Sequence, residues 1–228
     1  KSIAALKAGL GKTLMERIVD SKPEVVTLLD TQYRMNEEIM RFSSSWFYDG
    51  KVKAAPITAH RGILDYDTPI EWVDDVANDD ETVGETFVGE TFGRINKVEA
   101  RQVMELLQAY FEKIGKQRII DESIDVGIIS PYRAQVQYLR HLIKKEAFFK
   151  PFRHLLSVNT VDGFQGQERD VIIVSLVRSN NDGQIGFLRD LRRMNVAMTR
   201  ARSKLIIIGD HETLAHHEFY KKLYEYIK

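Results

Sequence analysis

Residues Val171–Val177 read Val-Ile-Ile-Val-Ser-Leu-Val, a run that is apolar at nearly every position. A strand with one face in water alternates apolar and polar side chains, whereas a strand covered on both faces need not. This run therefore predicts a parallel strand buried between two helical layers. Other short segments read as strands in the same way: Val25–Leu29, Ile70–Val73, Val126–Ile129, Leu156–Thr160 and Leu205–Ile208. Helical patterns lie among them. Asn36 is placed to cap a helix with Glu37 and Glu38 in its first turn and Ile39, Phe42 and Trp46 on one face, stopping at Gly50. A second runs from about Arg94 to Ile114, with Val103, Leu107, Tyr110 and Ile114 at three- and four-residue spacing. A third opens at Ser130-Pro131, a cap followed by proline at the first helical position, and the last covers about Glu212–Ile227. Strands alternating with helices predict the α/β class, a doubly wound, mainly parallel sheet whose ligands gather at the carboxyl ends of the strands.

A chain of 228 residues can bury one such core. No apolar run approaches the ~20 residues that a membrane-spanning helix needs, so no membrane contact is expected. The first residues, Lys-Ser-Ile-Ala-Ala-Leu-Lys, lack the apolar centre of a signal peptide, and the chain has no cysteine. The expected location is the cytoplasm, or the nucleus in a eukaryote. Lys plus Arg and Asp plus Glu balance at 33 each, so any nucleic-acid surface must be local. Acid collects between Asp74 and Glu90, where an acidic run leads into Val-Gly-Glu-Thr-Phe repeated at 83–87 and 88–92. That composition favours neither helix nor core, and residues 74–93 are expected to be a flexible acidic insertion.

Phosphate chemistry is the theme of the segments that remain. Val-Asp-Gly-Phe-Gln-Gly-Gln-Glu-Arg-Asp at 161–170 is a turn rich in glycine and acid, and 192–202 is crowded with arginines. Such a pair suits a protein that holds a nucleotide and neutralises a transferring phosphoryl group. Gly166 allows close backbone approach, and Glu168 offers a carboxylate to ribose hydroxyls. Gln32-Tyr33-Arg34-Met35 follows a predicted strand; the ring of Tyr33 could stack on a base while Arg34 forks onto phosphate oxygens, or both could be structural. Ser130-Pro131-Tyr132-Arg133 opens a helix, whose unpaired N–H groups favour anions, with an aromatic ring and an arginine at hand for a nucleic-acid strand. Gly9-Leu-Gly-Lys-Thr13 is a partial match to a phosphate-binding loop, but the motif needs a glycine where Leu6 stands and a strand before it. His216 and His217 have no further ligand at suitable spacing, so no metal site is expected within the chain.

In this order, Gln-Tyr-Arg-Met (32–35), Ile-Ser-Pro-Tyr-Arg (129–133), Gly-Phe-Gln-Gly-Gln-Glu (163–168) and Met-Thr-Arg-Ala-Arg (198–202) resemble segments of superfamily 1 helicases. The resemblance is to the branch of the nonsense-mediated decay RNA helicase and the immunoglobulin mu-binding helicase. It covers nearly the whole chain and implies the second, C-terminal RecA-like motor domain, of P-loop-NTPase type. On this basis residues 1–22 are a helical lead-in from a first motor domain and residues 23–228 are the second. The family implies ATP with Mg²⁺ as cofactor, the metal ligands and phosphate loop lying in a first RecA-like domain of the same polypeptide. A fragment without them is expected to be inactive. The resemblance also implies that Tyr33 stacks on adenine, that Arg34 meets the γ-phosphate, that Gln165, Gly166 and Glu168 line the nucleotide, and that Arg200 is an arginine finger. Single-stranded DNA or RNA is placed on Pro131, Tyr132, Arg133, Asn159, Thr160 and Asp162. Two alternatives stay open: a non-catalytic nucleic-acid-binding module, and a stand-alone P-loop ATPase using Lys12. If Leu191–Ala201 is one helix with Leu191, Met194, Met198 and Ala201 facing the core, Arg200 points away on the side of Arg193, and Arg202 lies by the core edge in a structural ion pair.

Overall fold

In a computed structural model, residues 4, 11–76, 84–89, 93–164 and 166–228 are described. The chain divides into two compact units, Lys1–Thr31 and Gln32–Lys228. The first contains helix α1 (Leu14–Ser21), which opens with a reciprocal cap: the Glu16 N–H donates to the Thr13 hydroxyl, and the Thr13 N–H donates to the Glu16 carboxylate at 2.6 Å. The predicted strand Val25–Leu29 is not formed. A 3₁₀ turn spans Pro23–Val25, and Val26–Asp30 have no regular structure. Leu28 and Leu29 are 44% and 84% exposed, which shows why: β-branched and apolar content makes a strand only where a ladder partner and a covering layer exist.

The second unit is built on five parallel strands, β1 (Ile70–Val73), β2 (Val126–Ile129), β3 (Leu156–Asn159), β4 (Arg169–Ser175) and β5 (Ala201–Ile208), in the order β1-β5-β4-β2-β3. Successive residues of β4 feed opposite cores. Ile172 and Val174 pack with Leu205 and Ile207 under helices α2 (Glu37–Tyr48), α5 (Leu191–Met198) and α6 (Glu218–Ile227). Val171 and Ile173 pack with Ile206 and Ile208 under α3 (Lys97–Ile114) and α4 (Arg133–Lys145). With both faces covered, an uninterrupted apolar strand is stabilised at every position by ~1.5–3 kcal/mol per buried aliphatic side chain.

Local chemistry sets the helix bounds and corrects several expectations. Asn36 caps α2 through the Glu38 N–H, and the helix closes at Asp49 in the left-handed region. The second helix starts later than Arg94, because Asn96 is its cap and Gly93–Ile95 form a strand paired with Thr86–Val88. Part of the acidic insertion is thus an antiparallel hairpin: Glu85 is buried against Arg178 at 2.5 Å and also pairs with Arg94. Residues 77–83 and 90–92, the rest of that expected loop, lie outside the described residues. Helix α4 begins at Arg133, with Tyr132 at the cap position, so Pro131 precedes the helix. The C-terminal pattern is two helices, His211–Leu214 and α6. Helix α5 ends at Met198 and Ala201 already belongs to β5, so Arg200 and Arg202 do not share the helix on which their directions were reasoned.

Candidate functional site

The predicted site residues fall on opposite edges of the sheet. Because β3 and β4 are parallel, the connection from Thr160 to Glu168 must return from the carboxyl edge to the amino edge, and it does so without a full helix, pinning Val161 and Phe164 into the core on the way. Helix α5 makes the same passage ahead of β5. Gly166, Glu168 and Arg200 therefore sit just ahead of β4 and β5, at the amino edge, while Asn159 ends β3 and Pro131, Tyr132, Arg133, Thr160 and Asp162 sit beyond the carboxyl ends of β2 and β3. Only the second group lies at the carboxyl ends, the edge where a doubly wound sheet is expected to gather its ligands. Gln165 lies outside the described residues.

At the amino edge, the Gln32 side chain accepts from the N–H groups of Arg34 and Met35 at 2.7 Å, fixing the turn that carries Tyr33 and Arg34. Arg61 donates to the Arg34 carbonyl at 2.9 Å. The turn lies beside β5, where the Asn36 N–H donates to the Arg202 carbonyl. Arg34 Nε meets Glu168 Oε2 at 2.5 Å, and its Nη1 donates to the Thr199 carbonyl at 3.1 Å. Arg200 donates from Nε to the Val196 carbonyl at 3.0 Å and from Nη1 to the Gln167 carbonyl at 3.1 Å. It is half-buried, and among the described residues no carboxylate pairs with it. Burial, and then the neighbouring Arg34 cation, push its guanidinium below the usual arginine range. The Tyr33 ring stands 70% exposed beside this group. Gly166 has φ 78° with open space around it, so its glycine answers to the backbone conformation and leaves the approach to the turn clear.

Arg202 is different. It pairs with Asp125 at 2.9 Å and Asp170 at 3.0 Å and lies 3.7 Å from Glu168. Asp125 and Asp170 in turn accept from each other's backbone N–H, which ties the amino ends of β2 and β4 together.

At the carboxyl edge the exposed ring is that of Phe187, outside the predicted site residues. Tyr132 is only 7% exposed, and its ring is covered by Phe187 at 5.7 Å between centroids. A ring covered in this way presents no open face for a base to stack on. Phe187, 66% exposed, offers the free ring. It follows Gly186, whose φ is 54° and where an added Cβ would lie 2.2 Å from the buried Arg178 guanidinium. No periodicity marks residues 179–190 in the sequence; the signal available was an apolar Gly-Phe-Leu within a polar loop. Phe187 lines a cleft with Pro131, Thr160, Asp162, Arg193 and Leu188. Arg133 is exposed, the Asn159 side chain accepts from the Thr160 N–H at 2.9 Å, and Asp162 faces Arg193 at 3.4 Å. Beneath this edge, buried Glu99 accepts from the Ser175 hydroxyl and from the N–H of Val177, which it holds at φ 72°. Burial raises the Glu99 carboxyl well above its ordinary range.

Gly9 and Leu10 of the partial phosphate-loop match lie outside the described residues. Lys12 is exposed and paired with Asp20 at 2.5 Å, and Thr13 serves as the α1 cap. The His216 ring faces the backbone carbonyls of Glu212 and Thr213. Among the described residues no cluster of His, Cys, Asp and Glu is suited to a metal ion.

A family model described as an AAA domain matches residues 10–212. The chain belongs to that family. Its relatives place it in the superfamily 1 helicase branch. It is 37% identical over 96% of its length to an uncharacterised ATP-dependent helicase of Methanocaldococcus jannaschii, covering 32% of that protein. It is 39% identical over 90% of its length to the DNA polymerase alpha-associated DNA helicase A of Saccharomyces cerevisiae, covering 31%. It is 34% identical over 98% of its length to a regulator of nonsense transcripts 1 homolog of Neurospora crassa, covering 20%. The chain thus spans about a third or less of the curated relatives it matches.

Proposed function

We propose that this domain is the second, C-terminal motor half of an ATP-dependent helicase that moves on single-stranded DNA or RNA, in the cytoplasm or, in a eukaryote, the nucleus. The observation that carries the reading is Arg200: a half-buried guanidinium at an open sheet edge, positioned by backbone carbonyls, with the Arg34 cation beside it and, among the described residues, no carboxylate within ion-pair distance, Glu168 acting on it only from farther off. A cation without a direct ion pair beside Arg34 is suited to an incoming phosphate, which needs charge most in the transition state. The amino edge fits ATP in its donor set, with Tyr33 offering an open ring to the base, Glu168 a carboxylate to ribose hydroxyls, and Arg34 and Arg200 two forks to the terminal phosphate. When bound, MgATP would supply the transferable phosphoryl group, with the metal ligands and phosphate loop contributed by a first RecA-like domain. This domain's own residues orient the nucleotide, exclude water and neutralise charge.

The carboxyl edge takes the strand. Phe187 stacks a base, Thr160 and Arg133 meet the backbone, and the Thr160–Glu168 crossing and α5 join these contacts rigidly to the phosphate side. A stand-alone ATPase using Lys12 gains no support from a lysine paired with Asp20. A purely binding module leaves Arg200 without a purpose. The test is ATP turnover by the full-length protein with and without a homopolymeric oligonucleotide. Strand-stimulated turnover is expected, with Arg200→Ala losing ~10³-fold or more. A variant that hydrolyses ATP at the unaltered rate would refute the assignment.

A further inference from the structure

The chain as a whole is neutral, yet one surface is not. Between Arg140 and His154 stand five Lys and Arg, Arg140, Lys144, Lys145, Lys150 and Arg153, against the single Glu146. On α4, Arg133, Arg140 and Lys144 are separated by seven and four residues, which at ~100° per residue places them within ~40° of one another, on one face of the helix. All three are exposed, as is Arg153. Among the described residues none of the four has a carboxylate within ion-pair distance. At the far end of the stripe, Arg140, Lys144, Arg153, Ser157, Asn159 and Gln167 line a shallow cleft along the edge strand β3, and no acidic residue borders it. Arg140 lies flat on that edge, its Nε and Nη2 donating to the Val158 carbonyl at 2.9 and 2.7 Å, with Nη1 left for something else. Arg153 donates to the Lys144 carbonyl.

We propose that this stripe is a second nucleic-acid subsite, a track for the sugar-phosphate backbone of a single strand that continues from the proposed carboxyl-edge groove. Charge and continuity both favour that occupant: the stripe begins at Arg133 and its cleft ends at Asn159, each at the groove, and a polyanion is what unbalanced cations in a row neutralise most effectively. The cations meet phosphates alone, so the track reads no sequence. The inference rests on the strand-binding reading of the carboxyl edge and extends its footprint.

The test is binding of labelled homopolymers of about 8 and about 20 nucleotides, lengths that bracket one and more than one groove's worth of strand, to the full-length protein across a salt series. In the unaltered protein the longer strand should bind with the steeper salt dependence. Replacing Arg140, Lys144 and Arg153 together with glutamine should flatten the slope of log affinity against log salt for the long strand by about 2, from ~0.7 per lost phosphate contact, and leave the short strand unchanged. Lys144→Glu alone, whose side chain makes no hydrogen bond in the fold, should weaken the long strand only. An unchanged long-strand slope in the variants, or equal losses at both lengths, would overturn the track while leaving the proposed function standing. Failure of the unaltered protein to bind either strand would overturn both.

Discussion

Two arginines two positions apart live in opposite electrostatic worlds. Arg202 sits among Asp125, Asp170 and Glu168, and the two aspartates bond each other's backbone, so its charge is balanced within the fold. Arg200 is held by the carbonyls of Val196 and Gln167 and crowded by Arg34. A charge balanced locally is architecture. A charge positioned by neutral groups and lacking a direct ion pair at an edge is what the proposed phosphate role of Arg200 requires. The same contrast separates α4's outward stripe from the buried Glu99, which is surrounded by the donors of Ser175 and Val177.

If the contrast is right, stability and activity should come apart at these positions. The larger stability effect belongs to Arg202→Ala, which leaves Asp170 partly buried without its cation and Asp125 with Arg169 alone, at 3.7 Å. A cost of ~1–3 kcal/mol is expected, lowering Tm by roughly 2–4 °C per kcal/mol in a domain of this size. Arg200→Ala should stay within about 0.5 kcal/mol of the unaltered protein. Thermal unfolding of both variants side by side checks this, and an Arg200 variant that melts as early as the Arg202 variant would erase the distinction.

A smaller effect lies in the pH dependence of the balanced cluster. Burial, with the Asp125 charge beside it, raises the Asp170 carboxyl above the ordinary 3.8 despite the opposing pull of Arg202. The folded state therefore holds that proton more tightly than the unfolded chain does. The contribution is complete below pH 3.8 and lost as pH rises through the folded value. Relative to Asp170→Asn, the unaltered protein should lose stability over that window and run parallel above it. Denaturant melts at stepped pH values would show the reverse slope if Asp170 were held mainly as an anion by Arg202.

The sheet was legible in the sequence because its central strands are buried on both faces: Val171, Ile172, Ile173 and Val174 leave no polar position to mislead. Val25–Leu29 carried the same composition without a neighbour, which only three dimensions supply. The start of α4 was misplaced because a Ser-Pro pair looks like a cap, yet the chain turns into helix only after Tyr132. The two-edge layout was invisible since strand count fixes neither sheet order nor the direction of a short crossing. The resemblance marks Arg200, but a helix through Ala201 does not give its direction: the helix ends at Met198, and the outward character of Arg200 rests on the Thr199–Arg200 turn and the lack of a direct ion pair among the described residues. Phe187, to which the proposed function gives a stacking role, is marked by its exposure and not by any composition the sequence shows.

The most direct measurement of Arg200's role compares two affinities in one variant of the full-length protein: for ADP alone, and for ADP with a planar mimic of the transferring phosphoryl group such as aluminium fluoride. An interaction that acts in the transition state should leave the first nearly unchanged and weaken the second on the scale of the lost rate, ~10³-fold, in Arg200→Ala. Equal loss in both, or no loss in the second, would contradict the assignment of Arg200 as the residue that meets the transferring phosphate.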